Sequence, residues 1–255
     1  MLVLLASAPL AAQTRLPLTR AQAEAVGRMI WRNEGGGRVE NLTHWNPREN
    51  FASMGIGHFI WYPAGAHRTF TESFPLLARW LSASGARVPA WALARNCPWP
   101  NRKAFDAARG GQRLRSLRSL LSRTVAAQAL FMAARARVAL PKLLRGLPDD
   151  EQAVLAARYD RLSSTPNGVY ALVDYVNFKG EGVSALERYQ GVGWGLRQVL
   201  LQMSDGSAKE APAAFSEAAS TVLRRRVALS PAWRGERFWL PGWLARVATY
   251  KQPLY

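Results

Sequence analysis

The chain has 255 residues, of which 49% are hydrophobic, so it can build a substantial core and is not expected to be disordered. Lysine and arginine outnumber aspartate and glutamate by 34 to 17, and the net charge of +17 favours a polyanionic partner such as nucleic acid, anionic lipid or an acidic cell-wall polymer. No apolar stretch reaches the roughly 18 residues needed to cross a bilayer, and one cysteine, Cys97, excludes an intramolecular disulfide.

Residues 1–12 predict a secretory signal peptide. The stretch "MLVLLASAPLAA" is apolar and then rich in small residues, with cleavage expected after Ala11 or Ala12. No lysine or arginine precedes the apolar run, so either the printed start truncates the signal or the segment is a frayed apolar N-terminus. Export to the periplasm is the expectation. An exported protein is not expected to bind nucleic acid, so the expected partner is the anionic surface of the cell envelope.

The first predicted helix runs from Thr19 to Glu34. Thr19 and Gln22 form a capping-box pattern, and apolar residues follow at helical spacing until three glycines end the helix. From Arg38 to Tyr62 the pattern predicts a small irregular sheet of two or three strands. The last strand is expected to be "SMGIGHFIWY".

Helices are predicted for most of the remaining chain. "RLRSLRSLLSRTVAAQALFMAARARVAL" is expected to form one long helix or two, stopped at Pro141, and "VYALVDYVNF" and "WGLRQVLLQM" are apolar enough to be central helices. No repeat or linker divides the chain. The expected fold class is α+β, with a small sheet near the N-terminus, a mainly helical bundle, and residues 13–255 in a single domain.

A carboxylate at a helix end beside a glycine-rich sheet has the chemistry that cleavage of a glycosidic bond requires. The reaction needs a general acid in an apolar setting and a second group that stabilises the oxocarbenium-like centre or activates water. Glu34 follows the apolar residues Met29–Trp31 and is the candidate acid. Glu49, fifteen residues later, is the candidate second carboxylate.

Residues 20–62 resemble the lysozyme superfamily, and phage-type lysozymes in particular. Glu34-Gly35 is similar to the Glu-Gly that ends the first helix in that family, and Ser53–His58 is similar to its Thr-Ile-Gly-x-Gly-His strand. The resemblance implies a lysozyme-like fold, and an enzyme that cleaves peptidoglycan or a related β-glucan without a cofactor. It implies Glu34 as general acid, Ser53 as a residue that holds water or substrate, and His58 as a supporting residue.

The sequence departs from the phage-type pattern at one important position. Those enzymes carry an aspartate six residues before the hydroxyl residue, where this chain has Pro47. Glu49 is the nearest substitute, and Asn46 is also within reach. Goose-type lysozymes and lytic transglycosylases resemble the same superfamily and use one essential glutamate, so hydrolysis and transglycosylation both remain open.

A second glycine-rich stretch, "NFKGEGVSALERYQGVGWG", separates the two central helices. Asp174, Asn177, Glu181 and Glu187 supply polar groups there, and Asn177 and Glu181 are expected to bind substrate where glycines let a sugar chain approach the backbone. The alternative is a helix corner with caps. Tyr62 is a candidate for stacking on a sugar ring, with core packing as its alternative. This region, and with it the whole chain, also resembles a family of uncharacterised proteobacterial exported proteins.

Other interpretations compete at each point. Glu34 could form a surface ion pair with Arg32 or Arg38, although a negative charge is unfavourable at a helix C-terminus. His44 and His58 lack the spacing of a metal site, so no metal is expected. The alternatives to an enzyme are a non-catalytic lysozyme-fold protein that binds the cell wall and, from charge alone, a nucleic-acid-binding protein.

Overall fold

The structure is a computed structural model that describes residues 18–185 and 187–254. The predicted signal segment, residues 1–12, lies outside the described residues. The described chain confirms the α+β class, because a small antiparallel sheet follows the first helix and a body of helices follows the sheet. One cluster of buried apolar side chains extends from Ala23 to Tyr250.

The described helices, in chain order, are α1 (Arg20–Gly35), α2 (Phe74–Ala83), α3 (Arg102–Ala107), α4 (Gln112–Arg123), α5 (Val125–Val138), α6 (Leu140–Leu144), α7 (Asp149–Ser163), α8 (Pro166–Lys179), α9 (Leu196–Gln202), α10 (Ala211–Leu229) and α11 (Leu240–Ala248). The described strands are β1 (Thr43–His44), β2 (Ala52–Met54), β3 (Phe59–Trp61), β4 (Arg188–Tyr189) and β5 (Val192–Gly193).

Local signals set both ends of α1. Thr19 and Gln22 form the predicted capping box, with each side chain accepting a hydrogen bond from the backbone of the other residue. The helix ends where Gly36 adopts a left-handed conformation with φ of 62°, which glycine adopts without steric cost. Glu34 therefore lies in the last turn of α1.

The predicted final strand is wrong in one respect, because it is a hairpin rather than a continuous strand. β2 and β3 pair antiparallel, with Ser53 opposite Ile60, and residues 55–58 form the turn between them. Gly55 and His58 both have positive φ, 75° and 50°, which an extended strand does not allow. Gln128 of α5 fixes the turn by accepting a hydrogen bond from the Ile56 backbone N–H at 3.1 Å.

The stretch predicted to form one long helix or two forms two, α4 and α5, which are separated at Thr124. α5 ends at Val138, shortly before Pro141, as expected. Pro141 itself lies in the first turn of a further short helix, α6, a position where the missing N–H of proline costs nothing. The second glycine-rich stretch contains the short hairpin β4–β5, which the sequence did not predict.

Helix α8 is the central helix, as predicted, because α1, α5, α7 and α10 all pack against it. Its residues from Gly168 to Tyr175 are buried. This arrangement brings the C-terminal part of α8 beside the end of α1, and it places Asp174 next to the turn that carries Glu34.

Gly27 allows the close approach of α1 to α5. A Cβ atom at Gly27 would lie 2.6 Å from Val125 Cγ1 and 2.9 Å from the Val125 carbonyl oxygen. We expect Gly27→Ala to lower the free energy of unfolding by about 1–3 kcal/mol, because one of the two helices must shift. Urea denaturation measures the change.

Gly242 in α11 provides the matched control, because a Cβ atom there would meet no atom within 4 Å. Gly242→Ala should be neutral or raise the free energy of unfolding by up to about 1 kcal/mol through helix propensity. If Gly27→Ala were as stable as Gly242→Ala, the described α1–α5 contact would be wrong.

Candidate active site

Glu34 is held at the wall of a cavity rather than on the open surface. Its side chain is 15% exposed. Oε1 accepts a hydrogen bond from the Arg246 guanidinium, and Oε2 lies 3.5 Å from Nδ1 of His58. The partner of Glu34 is therefore an arginine from the far end of the chain rather than Arg32 or Arg38, the surface partners considered from the sequence.

Arg246 is shared between Glu34 and a second, fully buried carboxylate, Asp174. Its Nε and Nη2 atoms each donate to Asp174 at 2.9 Å. Tyr250 donates its hydroxyl to the same carboxylate at 2.8 Å, and Asn33 donates its amide at 3.2 Å. Each oxygen of Asp174 thus has two donors, which is how a buried carboxylate is stabilised.

The charges in this group are strongly coupled. Burial alone would lower the pKa of Arg246, but the charge and hydrogen bonds of Asp174, together with the charge of Glu34, raise it above its ordinary value. Burial and the Asp174 charge raise the pKa of Tyr250. Arg246 is therefore a permanent cation and Tyr250 a permanent donor, which fixes both side chains against Asp174.

His58 lies between Glu34 and the rest of the sheet. Burial lowers the pKa of His58 below its ordinary value; the Glu34 charge opposes this shift and the Arg246 charge adds to it. His58 stacks on His44 with ring centroids 6.2 Å apart. A neutral imidazole beside Glu34 fits the supporting role that the resemblance implies.

Glu34 lines a cavity of about 330 Å³, which lies between the β2–β3 hairpin, α5 and α8. Three other predicted site residues line the same cavity: His58, Asn177 and Glu181. The Glu181 carboxylate also forms an ion pair with Lys142. Apolar side chains from all three elements complete the walls, namely Phe59, Ile60, Met132, Val173 and Val176.

Three further predicted residues line a second cavity of similar volume, about 330 Å³. Glu49, Asn46 and Ser53 contribute to its wall, while His58 and Ile60 line both cavities. Glu34 and Glu49 therefore face neighbouring cavities rather than a single one. Two carboxylates that act together on a glycosidic bond lie within about 10 Å of each other, and for Glu34 and Glu49 this separation is a prediction.

Glu49 and Asn46 belong to one tight loop. The Asn46 side-chain oxygen accepts a hydrogen bond from the backbone N–H of Arg48 at 3.1 Å, so part of its hydrogen-bonding capacity is used locally. The Trp45 indole donates to the Glu49 carbonyl oxygen at 2.9 Å. Burial raises the pKa of the Glu49 carboxyl.

Tyr62 has the core-packing role that was the alternative to sugar stacking. Its side chain is fully buried. Its hydroxyl accepts a hydrogen bond from the Phe70 backbone N–H at 3.0 Å, and its ring packs edge-on against Phe51 with centroids 5.2 Å apart. A ring enclosed in this way cannot stack on a ligand, so Tyr62 is not part of the proposed site.

Sequence reasoning missed the two cations of the site, Arg246 and Arg135. Arg135 lines the Glu34 cavity, and burial lowers its pKa while the Glu181 charge partly opposes that shift. Both belong to a set of 34 arginine and lysine residues with no local pattern that distinguishes them. Only the folded chain brings Arg246 to Glu34.

Within residues 18–185 and 187–254, no group of three histidine, cysteine or carboxylate side chains is placed to hold a metal ion. In the same part of the chain, no helix is long and apolar enough to cross a bilayer. The chain matches no protein-family model, no curated protein and no solved structure.

Removing Asp174 tests the buried ion pair. We expect Asp174→Ala to lower the free energy of unfolding by about 3–5 kcal/mol, because it leaves Arg246, which is 13% exposed, without its main counter-charge. The control is Asp205→Ala. Asp205 also accepts from two arginines, but its side chain is 77% exposed, so its loss should be much smaller. Chemical denaturation that gave equal losses would contradict the buried network.

Proposed function

We propose that this protein is an exported, periplasmic enzyme with a lysozyme-like fold that cleaves peptidoglycan or a related β-glucan, with Glu34 as the general acid. The single observation that carries the proposal is the Glu34 carboxylate itself. It ends a helix, lines a part-apolar cavity beside a small sheet, and is oriented by Arg246. The similarity of Glu34-Gly35 and Ser53–His58 to phage-type lysozymes, and the charge of +17, support the same reading.

In the proposed reaction Glu34 gives its proton to the glycosidic oxygen while the bond from that oxygen to the anomeric carbon breaks. The bonding electron pair leaves with the oxygen, and the resulting oxocarbenium-like centre needs a nucleophile. In hydrolysis, Glu49 either removes a proton from the attacking water or adds directly to the carbon, in which case water then breaks the bond to Glu49 and gives its proton to the Glu34 carboxylate. In transglycosylation, a hydroxyl group of the substrate attacks the carbon and gives its proton to the Glu34 carboxylate. Asn177, Glu181 and Arg135 line the sugar site, and Ser53 and Asn46 line the adjoining cavity.

A second candidate is a lysozyme-fold protein that binds the cell wall without turnover. The observation that favours it is the direct contact between Arg246 and Glu34, because an ion pair by itself gives Glu34 a structural role. The two candidates differ in what they require of Glu34, so one substitution distinguishes them.

Glu34→Gln is the test of the proposed acid. We expect the variant to fold normally and to lose about 10²–10⁴-fold in glycan cleavage, the usual effect of removing a general acid. Release of dye from labelled sacculi measures the rate, and thermal unfolding checks the fold.

Glu72→Gln is the matched control. Glu72 is also a partly buried glutamate paired with an arginine, Arg68, and it accepts from the Tyr62 backbone, but it lines neither site cavity. Its variant should cleave at the wild-type rate. Cleavage by a folded Glu34→Gln within a factor of a few of wild type would remove Glu34 from the mechanism. Sacculus binding without cleavage in the wild type would select the second candidate.

The second carboxylate is tested by comparing Glu49→Gln with Glu181→Gln. We expect Glu49→Gln to lose at least about 10²-fold in rate, and Glu181→Gln to lose less, because Glu181 is already paired with Lys142. The same dye-release assay ranks the two variants. The opposite ranking would transfer the role to Glu181. Near-normal rates in both variants would favour a single-carboxylate transglycosylase.

A further inference from the structure

Three large aromatic side chains near the C-terminus are exposed to solvent. Trp233 is 81% exposed, Phe238 is 75% exposed and Trp239 is 64% exposed. All three lie within seven consecutive residues, in two short 3₁₀ helices and the residue that follows them. Single exposed apolar residues are ordinary, but a group of this size marks an interaction site. We name this group, with Arg234 and Arg237, the exposed arginines of the same segment, the aromatic–arginine surface.

The segment is firmly anchored. Glu236 is its one acidic residue, and the side chain turns inward, where it is 6% exposed. It accepts hydrogen bonds from Arg226 at 2.7 and 2.8 Å and from the Tyr189 hydroxyl at 2.7 Å. The neighbouring aromatic rings are therefore displayed by a fixed turn.

The exposed charges of the segment that carries these rings all have one sign. Residues 224–251 contain seven arginines and lysines and one acid, Glu236, which is buried and paired with Arg226. Residues 231–246 contain no asparagine, glutamine, serine, threonine, histidine or aspartate. The surface thus offers apolar rings and positive charge, and it lacks the neutral hydrogen-bonding side chains that usually recognise sugar hydroxyls.

We propose that the aromatic–arginine surface binds the surface of an anionic lipid bilayer. Tryptophan and phenylalanine side chains insert at the boundary between headgroups and acyl chains, and arginines beside them pair with acidic headgroups. Self-association through this face is disfavoured, because a second copy would bring together two surfaces of the same charge in a chain of net +17. The proposal does not depend on glycan cleavage.

Flotation with lipid vesicles tests the proposal on the full chain. We expect the wild type to float with vesicles of phosphatidylglycerol and phosphatidylcholine and to bind pure phosphatidylcholine far less. It should dissociate from the anionic vesicles at about 1 M salt, a concentration at which surface charges are almost completely screened. The variant Trp233→Ser/Phe238→Ser/Trp239→Ser should partition at least about tenfold less. The variant Arg234→Gln/Arg237→Gln should bind more weakly and with less salt dependence.

The control variant is Leu76→Ser/Val138→Ser, which removes two exposed apolar side chains, 45% and 80% exposed, outside this surface. It should float like the wild type. Equal flotation of the triple-serine variant and the wild type would overturn the proposal. So would equal binding to neutral and anionic vesicles. Sacculus binding or dimerisation that depends on the three aromatics, without any vesicle binding, would assign the surface to glycan or to a second copy instead.

Discussion

Arg246 links three segments of the chain that are far apart in sequence, and the candidate site depends on that link. Its guanidinium bonds Asp174 of α8 on one side and Glu34 of α1 on the other. The Arg246 side chain also packs over the Phe178 ring at 4.2 Å. A planar donor with five N–H groups can hold two carboxylates at once, which lysine cannot do in the same geometry. The position of Glu34 thus depends on α11, which packs against α10 and is joined to α8 by the bond from Arg246 to Asp174.

Features of the fold that depend on neighbouring residues were predictable from the sequence. The Thr19–Gln22 capping box and the glycines after Glu34 set the two ends of α1 through contacts within a few residues. The β2–β3 hairpin was missed because one of its left-handed residues is His58, and the turn is fixed by Gln128, 72 residues from Ile56 in sequence. No local pattern carries that contact.

Some residues of the candidate site were also predictable from the sequence, and others were not. Glu34, His58, Asn177 and Glu181 were selected for their chemistry and line one cavity. Arg246 was missed because an arginine in an amphipathic helix usually faces water, and only tertiary packing makes this one 13% exposed. Tyr62 was left between sugar stacking and core packing for the converse reason. An aromatic ring near a glycine-rich strand looks the same in sequence whether it faces a ligand or, as here, the core.

Analysis of reaction products by mass spectrometry is the most direct test of glycan cleavage at Glu34. Purified sacculi and linear β-glucans would each be incubated with the wild-type chain and, in parallel, with Glu34→Gln. If Glu34 is the general acid, the wild type releases soluble fragments. These fragments carry new reducing ends if water is the nucleophile, and anhydro ends if a hydroxyl group of the substrate is the nucleophile. Intact polymer after incubation with a folded wild-type protein would contradict glycan cleavage at Glu34.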